Sequence, residues 1–294
     1  MPIEIGALVL VAITLLAATV NGALGYGFSS LTVPVAVLFY ANRVLNPALV
    51  LIEIVVNTYS LVVNRRSIPR VWRRTLPILG GLAPGVIVGS YLLSTINPGA
   101  IRLVTYAFLL PLILLQAGGF RRYIHAERRV GAPLGVGIGV LYSVTTISGP
   151  PLALLLNNQG FVREDFRASL AIIRIAESTL TAIAYAFLGL YSMQTGSLLA
   201  LIAPSVLIGV PLGAYLIRHL AAETFRRICM SFDAWIVGFG FSRTLIDLGI
   251  LADPLAYVVL LVAAAVDLAL LYQFFTQRRR GKTGLEPLPV FNGH

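Results

Sequence analysis

Arg174 and Glu177 stand three residues apart in a stretch, 168 to 190, that is otherwise mostly apolar, and Arg167 lies two helical turns earlier. Residues three, four and seven apart share one face of a helix. A helix here therefore carries Arg167, Arg174, Ser178, Thr181 and Tyr185 as one polar stripe. The same device occurs earlier, where Asn46, Glu53, Asn57, Ser60 and Asn64 are separated from the first by 7, 11, 14 and 18 residues. The chemistry these residue types suggest is anion binding. Arg174 and Arg167 would supply fixed positive charge and N–H donors, Asn57, Ser178 and Thr181 neutral hydrogen bonds, and Glu53 and Glu177 charge tuning or proton uptake. The blander reading is that Arg174 and Glu177 neutralise each other and lock their helix.

The surroundings make such charges unusual. Hydrophobic residues form 57% of the 294, charged residues only 12%, and the mean hydropathy is +0.87. Apolar runs near 4–20, 45–63, 75–95, 99–117, 168–190, 197–217, 228–250 and 254–276 approach the roughly 20 residues that cross a bilayer. They lack the alternation of barrel strands, so an all-α polytopic membrane protein is expected. An ionisable group at the bilayer centre costs about 2.5–3.5 kcal/mol and faces the interior of the bundle.

The net charge of +10 falls in clusters, at Asn64–Arg74, Arg121–Arg129 and Arg278–Lys282. Basic clusters in short loops between spans mark the cytoplasmic side. They argue against nucleic acid, and for a lipid bilayer with the N-terminus outside and the C-terminus cytoplasmic. The opening MPIEIG has no basic segment of a cleaved leader.

A shift of 124 positions pairs Gly85 with Gly209, Gly89 with Gly213, Tyr91 with Tyr215, Arg43 with Arg167, Glu53 with Glu177 and Gly25 with Gly149. Loop charge inverts between the halves: Arg-rich Asn64–Arg74 corresponds to a neutral segment near Gly189–Ser197, and neutral Ser94–Gly99 to a basic one at Arg218–Arg227. Similar halves of opposite loop charge predict an inverted-topology repeat with its site near the midplane.

Each half opens on a broken pair. Pieces at about 4–20 and 28–41 flank Asn21–Gly27, and pieces at about 131–142 and 151–159 flank Ser143–Pro150. Gly25, Gly27, Ser148, Gly149 and Pro150 would free backbone N–H groups at membrane depth for an anion; tight helix packing through small residues is the competing explanation. With both pairs re-entrant, three crossings per half and a last helix give seven; if every short piece crosses, the count is eleven and the termini keep their sides. The expected divisions are 1–118 and 131–250 for the repeats, 119–130 for a basic linker, 251–277 for the extra helix and 278–294 for a tail that looks disordered from Gly281.

Other charges suit structural pairing: Asp267 with an arginine of the bundle, and Arg243 with Asp247. His125, His219 and His294 do not group with the single Cys229, so no metal and no cofactor is expected. Nucleotide-binding and hydrolase motifs are absent.

The segments NGALGYGFSSLTVPVAVLF and SGPPLALLLNNQGFVREDFRASLA, with the pair LGGLAPGVIVGSYLL and IAPSVLIGVPLGAYLI, resemble the sulfite exporter TauE/SafE family of bacterial membrane transporters. Tyr26 and Phe28 stand where many members carry further glycine. The resemblance covers nearly the whole chain up to the tail. It implies export of sulfite, sulfonates or related small anions across the cytoplasmic membrane, without enzymatic activity. Two other classes are an intramembrane enzyme acting on a lipid-linked phosphate, whose Ser-Arg-Ser segment is missing, and an accessory subunit whose polar stripes would face another protein. A homo-oligomer is left open.

Overall fold

In lipid a backbone has only itself for hydrogen bonding, and every regular element described is helical. The computed structural model describes residues 2–119, 127–157, 163–219 and 222–279. Most of the basic linker and the tail from 280 lie outside the described residues. The order is α1 (Pro2–Leu24), α2 (Phe28–Ala36), α3 (Asn42–Val63), α4 (Ile68–Thr95), α5 (Pro98–Ala117), α6 (Glu127–Thr145), α7 (Gly149–Asn157), α8 (Arg163–Phe187), α9 (Met193–Leu216), α10 (Ala222–Asp247) and α11 (Val258–Arg279). The sequence long, short, long, long, long occurs twice, and α11 stands apart.

Seven of these helices are long and apolar enough to cross a membrane: α1, α3, α4, α5, α8, α9 and α11. The number matches the expectation, but the membership differs. Helix α1 was expected to stop near residue 20 and instead runs unbroken to Leu24. Helix α10 has 26 residues, but Arg226, Arg227, Asp233, Arg243 and Asp247 dilute its apolar character.

The short helices double back. Gly6, near the start of α1, lies against Phe39, just beyond α2, where an added Cβ would be 3.3 Å from the Phe39 Cβ. Leu152 and Leu156 of α7 share an apolar cluster with Ile138 of α6, and Leu134 packs on it.

Two close crossings hold the bundle together. Gly81, Gly85 and Gly89 of α4 meet the backbone of α6 at Ala132, Val136 and Val140; Gly209 and Gly213 of α9 meet that of α1 at Leu15 and Thr19. Small residues let helices approach to backbone contact where lipid supplies no hydrophobic drive. Gly22 belongs to the second crossing, against Val210, so packing explains that glycine. Exchanging the halves exchanges the packing: α4 on α6 for α1 on α9, α4 on α8 for α3 on α9, and α5 on α7 for α10 on α2. Helices α3 and α8 pack on each other at the centre.

The crossings also correct the sequence register. Gly85 and Gly209 differ by 124, whereas the carbonyls they approach, Val136 and Leu15, differ by 121. The second half has three extra residues ahead of its polar stripe, because Glu177 lies 14 residues from the start of α8 and Glu53 only 11 from the start of α3. The positive-φ counterpart of Gly25 (φ 88°) is therefore Thr146 (φ 58°), not Gly149. Gly149 is the first residue of α7 and answers to Phe28, the first of α2.

Helix α11 is fixed by Arg227 of α10, whose Nη1 donates to Asp267 Oδ1 at 2.9 Å; both are almost fully buried, and Ser231 Oγ donates to the same oxygen at 3.2 Å. Removing one member of such a pair strands a buried charge, whereas replacing both by apolar groups often does not. Asp267→Leu should lower stability by about 3–5 kcal/mol, and Arg227→Met with Asp267→Leu by much less. Thermal midpoints of the purified variants in one detergent will show this; equal losses would refute it. Nearer the surface, Arg243 and Arg102 each lie 4.0 Å from Asp247.

Candidate functional site

The two polar stripes face each other. Asn46, Glu53 and Asn57 on α3 are buried, as are Arg174, Glu177, Ser178, Thr181 and Tyr185 on α8, while Ser60, Asn64 and Arg167 toward the helix ends are half-buried. Because α3 and α8 come from different halves, their contact assembles one cluster from both.

At its centre the Arg174 guanidinium, 1% exposed, reaches across the halves. Its Nη2 donates to Glu53 Oε1, its Nη1 lies 3.5 Å from Asn21 Oδ1 at the end of α1, and its Nε is 3.8 Å from Glu177 Oε1. One cation thus stands between two carboxylates, a net negative cluster when both are ionised. The pairing expected within α8 is present, and the stronger contact is with Glu53.

The breaks close on this cluster. Ser29 in the first turn of α2 donates to Glu53 Oε1 at 2.5 Å, and Ser148, immediately before α7, donates to Glu177 Oε1. Each short helix is therefore tied at its N-terminal end to the carboxylate of its own half. Tyr142 of α6 lies between them, donating to Glu53 Oε2 at 2.7 Å and standing 2.7 Å from Ser178 Oγ. Asn46 Nδ2 donates to the Val144 carbonyl at the end of α6 at 2.7 Å, and Tyr185 donates to the Ser143 carbonyl at 2.5 Å.

Several buried polar atoms have no hydrogen-bond partner: both side-chain atoms of Asn57, Thr181 Oγ1, Arg174 Nε and Glu177 Oε2. Asn57 follows Glu53 by one helical turn, and Thr181 follows Glu177 in the same way. Buried polar groups are normally satisfied, and these five atoms are hydrogen-bonding capacity left unused in the cluster.

Of the candidate residues, Glu53, Arg174, Glu177, Ser178 and Ser148 meet in one network. Arg167 is placed elsewhere: its Nη2 donates to the Ala23 carbonyl at the end of α1, and its stem covers Gly25. Gly25 and Gly27 adopt φ of 88° and 107°, which permit the chain to reverse between α1 and α2. Pro150 lies in the first turn of α7, where its missing N–H breaks no helical bond. Ser29 and Tyr142 were not anticipated. Ser29 lies two residues after Gly27 and beside a second serine, a pattern that could have flagged a helix start. Nothing local distinguishes Tyr142. Ser30, next to Ser29, donates to buried Asp233 of α10 at 3.2 Å.

Helices able to cross a membrane, two short helices turned back into the bundle and a buried ionic network where the halves meet define a multi-pass membrane protein with a central polar site. A family model, Sulfite exporter TauE/SafE, matches residues 10–241. The chain belongs to that family and is a membrane transporter of the sulfite and small-anion type. No curated protein and no solved structure matches it.

Proposed function

We propose that the protein is a secondary transporter that exports a small anion such as sulfite or an organosulfonate, bound between two oppositely oriented halves that alternate access. The observation that carries this reading is Arg174: a fully buried guanidinium between the halves, whose Nε makes no hydrogen bond, with the side chains of Asn57 and Thr181 also making none on the helices it joins. An oxyanion takes several hydrogen bonds at once, and these are buried groups with bonds still to make. Ser148, with Gly149 and Pro150 at the start of α7, and Gly25 and Gly27 at the first break line the approach from the two short helices. Glu53 and Glu177 limit the charge of the site, and a proton on either would leave the cluster neutral, a route to coupling.

Burial of the stripes against each other favours this over an accessory subunit, whose stripes would face another protein. The exchange of helix packing between halves supports the repeat, and inverted loop charge supports its inversion, with the N-terminus outside the cytoplasmic membrane of a prokaryote and the C-terminus inside. The reading is tested with purified protein in vesicles loaded with sulfite or methanesulfonate. Efflux above protein-free vesicles is expected, falling to background in Arg174→Ala. Flux of neither anion, or flux unchanged by the substitution, would refute it.

A further inference from the structure

Asp233 is a buried acid that the central network does not use. It lies near the middle of α10, 8% exposed, against the first turn of α2. Its Oδ2 is 3.2 Å from Ser30 Oγ, its Oδ1 has no hydrogen-bond partner, and among the described residues no cation pairs with it. The ionisable groups around it are held elsewhere. On α10 itself Cys229 lies one turn earlier and Arg226 two, Arg227 is paired with Asp267 of α11, and Arg243 lies 4.0 Å from Asp247. Helix α5 brings Tyr106, which donates to the Pro34 carbonyl, and Arg102, 4.0 Å from Asp247, while Tyr257 beyond α10 lies against Phe239. Helix α2 has no ionisable residue, and neither has α1 from residue 5 onward.

The second half has nothing equivalent. Helices α5 and α10 begin 124 residues apart and α2 and α7 begin 121 apart, so Asp233 answers to Leu109 and Ser30 to Pro151. The acid is therefore no part of the repeated scaffold. A buried carboxylate with a single neutral donor is far costlier than the neutral acid. A proton also resolves a competition at Ser30, whose hydroxyl has one hydrogen and two oxygens in reach, Asp233 Oδ2 and the Gly27 carbonyl at 3.3 Å. With the aspartate ionised, Ser30 donates to it and leaves Gly27. With a proton on Oδ2, the acid donates to Ser30 and Ser30 to Gly27, so both contacts are hydrogen bonds.

We propose that Asp233 is a proton-binding site, neutral in the state described, whose ionisation requires α2 to part from α10 and so couples proton movement to transport. The proton leaves Oδ2 for water admitted at that contact, and Ser30 becomes the donor to the carboxylate that remains. Ser29, the preceding residue, donates to Glu53 Oε1, so one turn of α2 touches both the proton site and the central cluster. This rests on the transport reading above. It gives a proton a place apart from Glu53 and Glu177.

Infrared spectra of the purified protein at neutral pH read the proton directly. The spectrum of wild type minus that of Asp233→Asn should contain the carbonyl band of a protonated carboxylic acid, and in Ser30→Ala that band should persist but shift, because its hydrogen bond is lost. A carboxylate band in its place overturns the proposal, as does an acid band indifferent to Ser30→Ala. If Asp233→Asn does not give monodisperse protein, the spectrum of Ser30→Ala against wild type carries the test. Coupling is read in vesicles with methanesulfonate, a strong acid whose own charge does not change with pH. With the membrane potential clamped at zero, one proton per anion makes a difference of one pH unit worth about tenfold in accumulated anion. Wild type should approach that ratio; Asp233→Asn should show no accumulation and still exchange labelled methanesulfonate at equal pH. Wild-type flux indifferent to the pH difference, accumulation retained in the variant, or exchange lost with it overturns the coupling role. If wild type moves neither methanesulfonate nor sulfite, the transport reading fails, and the infrared band decides the proton site by itself.

Discussion

Arg174→Gln should be the most damaging single substitution near the site, lowering stability by about 3–5 kcal/mol, because Glu53 and Glu177 remain buried with no cation between them. The loss should be strongly coupled to Glu53. With Glu53→Gln added, the cluster returns to the formal charge it has with both carboxylates ionised in the wild type, and the single amide oxygen can still accept from Ser29 or from Tyr142, which in the wild type donate to different oxygens of Glu53. The double variant should therefore be more stable than Arg174→Gln alone, with a coupling energy of about 1–3 kcal/mol. Thermal midpoints of the four proteins in one detergent give the cycle, and additive losses would show that the pair is not energetically joined. Stability recovered by the double variant should not bring back sulfite efflux, since the guanidinium itself is missing.

An equally large effect is expected at a residue with no chemistry at all. At Gly213 a Cβ would overlap the carbonyl oxygen of Thr19 and crowd the amide of Ala23, so Gly213→Leu must force α9 away from α1. Overpacking ordinarily costs about 1–3 kcal/mol; here the obstacle is backbone, which cannot rotate aside, so the loss should reach the top of that range or exceed it. Gly80 on α4 has nothing within 4 Å of such a Cβ. Gly80→Leu should give monodisperse protein with a midpoint close to wild type, while Gly213→Leu should give little. Equal yields of the two would mean that the crossing tolerates separation.

That contrast shows what the sequence could reveal. Glycines recurring in both halves were legible as a repeated feature, but whether each serves a break or a crossing depends on the backbone opposite it. Gly22, only three residues from Gly25, proved to belong to the crossing. The stripes on α3 and α8 were legible because helical periodicity places their residues on one face, and burying a charge in lipid leaves few places for it to point. Their pairing across the halves was not: Glu53 and Arg174 are 121 residues apart, and periodicity within one helix carries no information on its neighbour. The three-residue difference in register was hidden for a related reason. An ungapped shift of 124 aligns the later helices of each half and misaligns the first two, and the carbonyls facing Gly85 and Gly209 reveal the slip. Tyr142 had no signal because an aromatic residue near the end of an apolar helix is ordinary until its hydroxyl is seen against two polar partners.

The Tyr142 hydroxyl also gives the network a direction. It has a single hydrogen, and donation to Glu53 Oε2 uses it; its contact with Ser178 must then run the other way, with the serine as donor. The hydrogen bonds thus point from the second half through α6 to the first-half carboxylate, where the guanidinium of Arg174 arrives from the other side. An acceptor that takes the Ser178 hydrogen, or a proton added to Glu53, reverses or interrupts that order without moving a helix. A change at one end of the site is then felt at the other as an altered orientation of hydroxyl groups, over two bonds of 2.7 Å each.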